Sequence, residues 1–121
     1  MYYCLNIVTN DKDIPHAVLI RAVEPLDDES FEFASMNRPI KSNKIYDLTN
    51  GPGKLCKALQ IDKTLNEQSV VKRGNLWIAD AEEVEDVIAD KRINIPYAME
   101  YQDVEWRFYI KDNKFVSVLK K

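Results

Sequence analysis

The chain has 121 residues, 45% of them hydrophobic, enough to bury one core and too little for two. Its formal net charge of -3 argues against a surface that grips nucleic acid all over, because such domains carry a basic excess. No run approaches the roughly 18 apolar residues of a membrane span, and no basic patch leads into an apolar stretch with a cleavage site. The composition therefore predicts one intracellular domain over residues 1–121, without a membrane partner or an export signal. The single histidine, His16, excludes a multi-histidine metal site, and Cys4 and Cys56 have neither metal-ligand spacing nor a disulfide framework. Both cysteines read as buried thiols, and no metal or cofactor is expected.

Residues 1–8 are apolar and aromatic, residues 17–23 are β-branched and apolar, and a polar turn at 9–13 separates them. This pattern predicts an antiparallel hairpin, with His16 in the loop or at a strand edge. Pro25 closes the second strand, and residues 27–36 can form an amphipathic helix with Phe31 inward. A polar, cationic loop is expected over 38–47. Further strands are predicted around 76–79, 87–95, 106–111 and 115–119. The layout is α+β, a single domain with a mainly antiparallel sheet flanked by short helices. Charge is segregated, with Lys41, Lys44, Lys54, Lys57 and Lys63 in the middle third and an acidic stretch over 80–90. The opening residues start inside a predicted strand, with Tyr2 and Tyr3 needing cover, and this suggests an upstream segment.

The most informative stretch is 49–61, Thr-Asn-Gly-Pro-Gly-Lys-Leu-Cys-Lys-Ala-Leu-Gln-Ile. Asn50 or Thr49 can cap a helix, and Pro52 suits its first turn, where a missing N–H costs nothing. Gly51 and Gly53 allow close backbone approach, and Lys54 adds a charge beside unpaired amides that favour a phosphate. Leu55, Ala58 and Leu59 form the apolar face. The same pattern also describes an ordinary capped helix. A short turn over 62–65 leaves Lys63 exposed.

Four separated blocks, residues 1–6, 17–25, 50–59 and 106–109, resemble in that order the alkyladenine (3-methyladenine) DNA glycosylase family. The resemblance spans nearly the whole chain. It implies an α/β domain with a central antiparallel sheet and an enzyme of base-excision DNA repair. Such enzymes flip alkylated or deaminated purines, 3-methyladenine and hypoxanthine among them, out of double-stranded DNA and hydrolyse the glycosidic bond without a metal or a covalent intermediate. By resemblance, Asn6 stands at the wall of a base pocket with Cys4 and Leu19, where its amide rejects normal guanine. Arg21 and the main-chain carbonyl of Ile93 hold the nucleophilic water. Lys54 and Lys63 grip phosphates, and Met1, Tyr2, Gly51, Gly53 and Asn94 border the DNA. The protein is expected to act as a monomer in the cytoplasm or nucleoid of a bacterium, or in the nucleus of a eukaryote.

Without the resemblance, Asn6 is an edge residue of a strand, Lys63 is solvated surface, and Arg21 pairs with a carboxylate such as Glu24 or Glu100. The aromatic group Tyr97, Tyr101, Trp106, Phe108 and Tyr109 reads as core packing rather than a base-stacking platform. The chain also departs from the family. The glutamate that serves as general base, in a Glu-Ala-Tyr segment upstream of the opening strand, has no counterpart. A family glycine is replaced by Asn94, and Gly-Glu-Trp by Met99-Glu100-Tyr101. The resemblance thus implies a partial glycosylase domain that is poorly active alone, or a non-catalytic module that binds damaged DNA.

Overall fold

The computed structural model describes residues 2–119. Met1 lies outside the described residues, so its place beside DNA remains an expectation. The first hairpin pairs β1 (Leu5–Val8) with β2 (Ala17–Ile20), antiparallel, with Leu5 opposite Ile20 and Asn6 opposite Leu19. The turn closes by local polar bonds. Asn10 Oδ1 accepts the amide of Asp11 at 2.8 Å, its amide nitrogen meets His16 Nδ1 at 3.0 Å, and Asp13 takes φ 69°. His16 stands in this loop, as its place after Pro15 predicts.

The helix α1 (Asp28–Asn37) starts one residue later than expected, because Asp27 is its cap and accepts from the Ser30 amide at 2.8 Å. The second helix, α2 (Pro52–Ala58), carries Leu55, Cys56 and Ala58 buried at a spacing that divides between two neighbours. Ala58 packs with Ala34 of α1 and Leu48, against Phe31 and Ile40. Leu55 and Cys56 pack with Ile61 against Leu5 and Ile20 of the hairpin. The helix is therefore the wedge that joins α1 to the first hairpin.

Its C-terminal end is a Schellman closure. The Ile61 amide reaches Cys56 O at 2.7 Å and the Gln60 amide reaches Lys57 O at 3.3 Å, with Gln60 at φ 56°. Short 3-10 turns lie at Ile45–Leu48, Lys63–Leu65 and Pro96–Tyr101. The first of these orders the end of the expected cationic loop.

The second hairpin pairs β3 (Val87–Asp90) with β4 (Arg107–Ile110), again antiparallel. The α+β class stands, but the expected single sheet does not, because the strands of the described residues form two separate two-stranded sheets. The strand expected over 87–95 stops at Asp90, whose side chain accepts the Lys91 amide at 2.7 Å, and Asn94 then turns left-handed at φ 56°. No strand forms over 76–79, where Leu76 serves the core and the backbone makes one isolated bond from Ile78 N to Val70 O at 2.8 Å. Residues 115–119 are not a strand either. Asn113 folds the chain into a turn there, its Oδ1 accepting Phe115 N at 2.8 Å. Apolar runs of this length become strands only beside a ladder partner.

Candidate functional site

Register places the candidate residues. In an antiparallel pair, directly opposed side chains share a face and successive ones alternate. Asn6 and Leu19 are opposed, so Arg21, two residues beyond Leu19, falls on their face while Leu5 and Ile20 turn to the core. Carrying the register one step further puts Cys4 opposite Arg21. Cys4 is also close enough to act electrostatically on the Arg21 guanidinium.

That face looks into a cleft of 910 Å³ between the two hairpins. Asn6, Leu19 and Arg21 wall one side, and Ile93, Asn94, Trp106 and β4 wall the other. Five of the expected site residues are thereby brought together from segments more than 70 positions apart. Cys4 is not among the cleft walls and is exposed, not buried as expected. It borders a separate groove of 550 Å³ along the free edge of β1, which Lys63 also lines. Cys56 is buried as expected. Burial, more than the nearby Cys4, raises its thiol pKa, an effect opposed by a backbone hydrogen bond from Leu5.

Arg21 is half-buried and pairs with neither Glu24 nor Glu100. Lys91 pairs with Asp103, and Arg107 pairs with Asp90. Desolvation, then the like charge of Arg107, pushes its pKa down, although a guanidinium remains charged throughout the working range. Arg107 is a residue that the sequence pattern missed. Its Nε donates to Lys91 O at 2.8 Å, one terminal nitrogen to Val118 O at 2.7 Å and the other to Asp90 at 2.8 Å, while its guanidinium stacks 5.1 Å from the Tyr109 ring. An apolar strand pattern interrupted by one arginine was the available signal.

The α2 entrance adjoins the cleft through Asn50, which is buried at its edge. Neither expected cap acts as one. Gly51 is the capping residue without a side-chain bond, Thr49 donates its hydroxyl to Val23 O, and Asn50 Oδ1 accepts from Lys54 Nζ at 2.8 Å. Lys54 is thus folded back along its own helix. Gly53 is needed for a close approach by Tyr2, because a Cβ there would stand 2.7 Å from the Tyr2 ring. The loop residue Tyr2 therefore lies against the first turn of α2. Gly51 has room, its nearest neighbour being the Lys54 side chain at 3.6 Å.

The aromatic group departs from the core reading. Tyr97, Tyr101, Trp106 and Phe108 are exposed and Tyr109 alone is buried, because β4 alternates and turns Arg107 and Tyr109 inward. Tyr101 and Trp106 stack at 5.5 Å, with Arg92 5.2 Å from the Trp106 ring. No group of metal-ligating side chains occurs among the described residues, and no described helix is long and apolar enough to cross a membrane.

The family model for methylpurine-DNA glycosylase matches residues 1–114. The chain belongs to the methylpurine-DNA glycosylase family. Among similar proteins, one from Natranaerobius thermophilus is 48% identical over 120 residues, covering 98% of this chain and 60% of its own length. One from Clostridium novyi is 50% identical over 123 residues, with 97% and 60% covered. Another, from Desulfitobacterium hafniense, is 45% identical over 125 residues. All three are provisionally named as 3-methyladenine DNA glycosylases. The chain spans about 60% of the length of these curated relatives. Asn94 and Met99 are the two positions where the resemblance expects glycine. Both take positive φ, 56° and 50°, the backbone region that favours glycine.

Proposed function

We propose that this chain forms the base-recognition part of a DNA glycosylase of base-excision repair. It binds duplex DNA as a monomer and holds an extruded alkylated or deaminated purine, 3-methyladenine or hypoxanthine, in the cleft. The observation that carries this reading is the shared face of Asn6, Leu19 and Arg21 opposite Ile93 and Asn94 in one cleft. A flipped base needs a pocket wall, a hydrogen-bonding discriminator and a polar group beside the sugar. Asn6 supplies the discriminator, since its short amide meets the exocyclic amine of normal guanine. Arg21 and the Ile93 carbonyl hold the water. Lys54 and Lys63 contact flanking phosphates, aided by the backbone at Gly51 and Gly53, and Tyr2 borders the displaced nucleotide.

The proton of that water needs an acceptor. Asp90 is committed to Arg107 at 2.8 Å, and Glu24, at the exposed rim, accepts from Asn113 at 3.2 Å. Neither is a positioned base, so a contribution of about 10² to 10⁴ in rate is missing. The chain by itself therefore binds damaged DNA and excises poorly, which also favours the reading as a binding module. The test uses duplexes with a single hypoxanthine or 3-methyladenine. Binding above an undamaged duplex, lost in Asn6→Ala, is expected, with base release no faster than a protein-free control. Equal affinity for damaged and undamaged duplex would remove the pocket assignment, and robust release would mean that another group serves as base.

A further inference from the structure

The loop over 70–78 is closed at its base and cationic at its tip. The Ile78 amide donates to Val70 O at 2.8 Å, Ser69 Oγ accepts the Val71 amide at 3.3 Å, and Leu76 packs against the core residues Leu55, Cys56 and Ile61. Between these ties Lys72, Arg73, Gly74 and Asn75 are exposed. An aromatic contact places Arg73. Its guanidinium carbon lies 5.5 Å from the centroid of the Trp77 ring, on the returning arm of the loop. Stacking through the face of a guanidinium leaves its in-plane N–H donors open to a partner.

That partner is not within the described residues. Neither Lys72 nor Arg73 forms an ion pair with a described carboxylate, although Asp80, Glu82, Glu83, Glu85 and Asp86 follow in an exposed segment. Two adjacent cations without an internal counter-charge attract an external anion that carries more than one charge. Their position indicates which. Val70 and Val71, at the root of the loop, line the 550 Å³ groove with Lys63 and Asn6, and Asn6 also walls the 910 Å³ cleft. A strand with one base in the cleft therefore has its backbone leaving past Asn6, with Lys63 and then the loop beside its path. Glu67 lines the same groove, so the cations hold the backbone at the rim and not along the floor. Continuity with Asn6 and Lys63 favours this polyanion over a separate acidic protein.

We propose that the 70–78 loop is a second contact to the DNA backbone, in which Lys72 and Arg73 hold phosphates beyond those at Lys63 and Trp77 sets the Arg73 guanidinium. The inference rests on the reading of the cleft as the site of an extruded base, and it lengthens the bound strand on one side of that base. Fluorescence anisotropy tests it with undamaged duplex and with duplex carrying hypoxanthine at the centre or beside either end. With the centred duplex, Lys72→Ala/Arg73→Ala lowers affinity at least tenfold. It also flattens the dependence of log affinity on log salt by about 1.8, at about 0.9 per phosphate, and leaves the ratio of damaged to undamaged affinity unchanged. Trp77→Ala gives part of the same loss. Lys12→Ala/Lys41→Ala, which removes equal charge from exposed positions elsewhere, stays within twofold of the unsubstituted chain. Hypoxanthine beside one end deprives the loop of its phosphates and abolishes the effect of the loop variant, whereas the other end preserves it. Unchanged affinity and slope in the loop variant, or an equal loss in the charge-matched control, would overturn the loop contact and leave the cleft reading standing. Equal affinity for damaged and undamaged duplex, with the loop effect retained, would remove the cleft reading and support the loop contact. Failure of the unsubstituted chain to bind any duplex would overturn both. Tighter binding of poly-glutamate than of duplex, lost in the loop variant, would assign the loop to an acidic protein and overturn the DNA contact.

Discussion

Asp90 and Arg107 are directly opposed in the register of β3 and β4, and the same two residues form an ion pair at 2.8 Å with side chains 14% and 8% exposed. One pairing thus fixes both the ladder and the charge. Arg107 also binds Lys91 O and Val118 O, so it ties the second hairpin to the segment entering the cleft and to the end of the described chain. Removing one member of a buried pair leaves the other charge uncompensated. Asp90→Ala is expected to cost about 3–5 kcal/mol of stability, read as a lower urea midpoint with loss of the 87–90 and 107–110 exchange protection. A loss below 1 kcal/mol would mean that water reaches Arg107.

Met99 is strained on backbone grounds, with φ 50° and ψ -119°, and is 80% exposed. That conformation belongs to glycine at the second position of a tight turn. Met99→Gly should raise stability by about 1–3 kcal/mol, because strain is relieved and little burial is lost. Gln60→Gly should gain about 1 kcal/mol at the end of α2, reduced by loss of its exposed bond to Asn37 at 2.9 Å. Thermal melts of both variants check this, and a lower melting temperature for Met99→Gly would refute the strain.

The acid limb of stability follows from Asp27. Hydrogen bonds from the Ser30 amide and then its hydroxyl hold the Asp27 carboxyl below the usual carboxylate range. A depressed folded pKa gives stability that is present above the unfolded value, about 3.9, and lost as pH falls through the lower folded value. Asp62, held down by Thr64, acts in the same direction. Circular dichroism at 222 nm should show α1 weakening from about pH 4 downward, with a smaller acid dependence in Asp27→Asn. Identical acid curves would show that the cap does not control the helix.

Lys63 is free on the surface, whereas Lys54 Nζ is held by Asn50 at 2.8 Å. If both contact phosphate, Lys63→Ala and Lys54→Ala should each flatten the dependence of log affinity on log salt by about 0.9 and weaken all DNA sequences alike. Fluorescence anisotropy across a salt series measures this. A changed preference for damaged over normal purines, at an unchanged slope, would move these lysines out of the phosphate role.

The sequence by itself determined the local elements and the family. The polar turn between two apolar runs required the first hairpin, Asp27 with Ser30 set the start of α1, and Pro52 with the apolar spacing of Leu55 and Ala58 set α2, because these are decided within a few residues. Four ordered blocks were enough for the resemblance that the family match supports over 1–114. Only the tertiary structure decided which apolar runs become strands, since residues 76–79 and 115–119 lack the partner that a ladder needs. It also decided that Asn50 binds Lys54 instead of capping, that Cys4 is exposed, and that the aromatic side chains of β4 divide between core and cleft. Each of these depends on neighbours distant in sequence. Arg107 is the clearest case: an isolated arginine in a strand is ambiguous until the register sets Asp90 opposite it, and burial then makes that pair the anchor of the second hairpin.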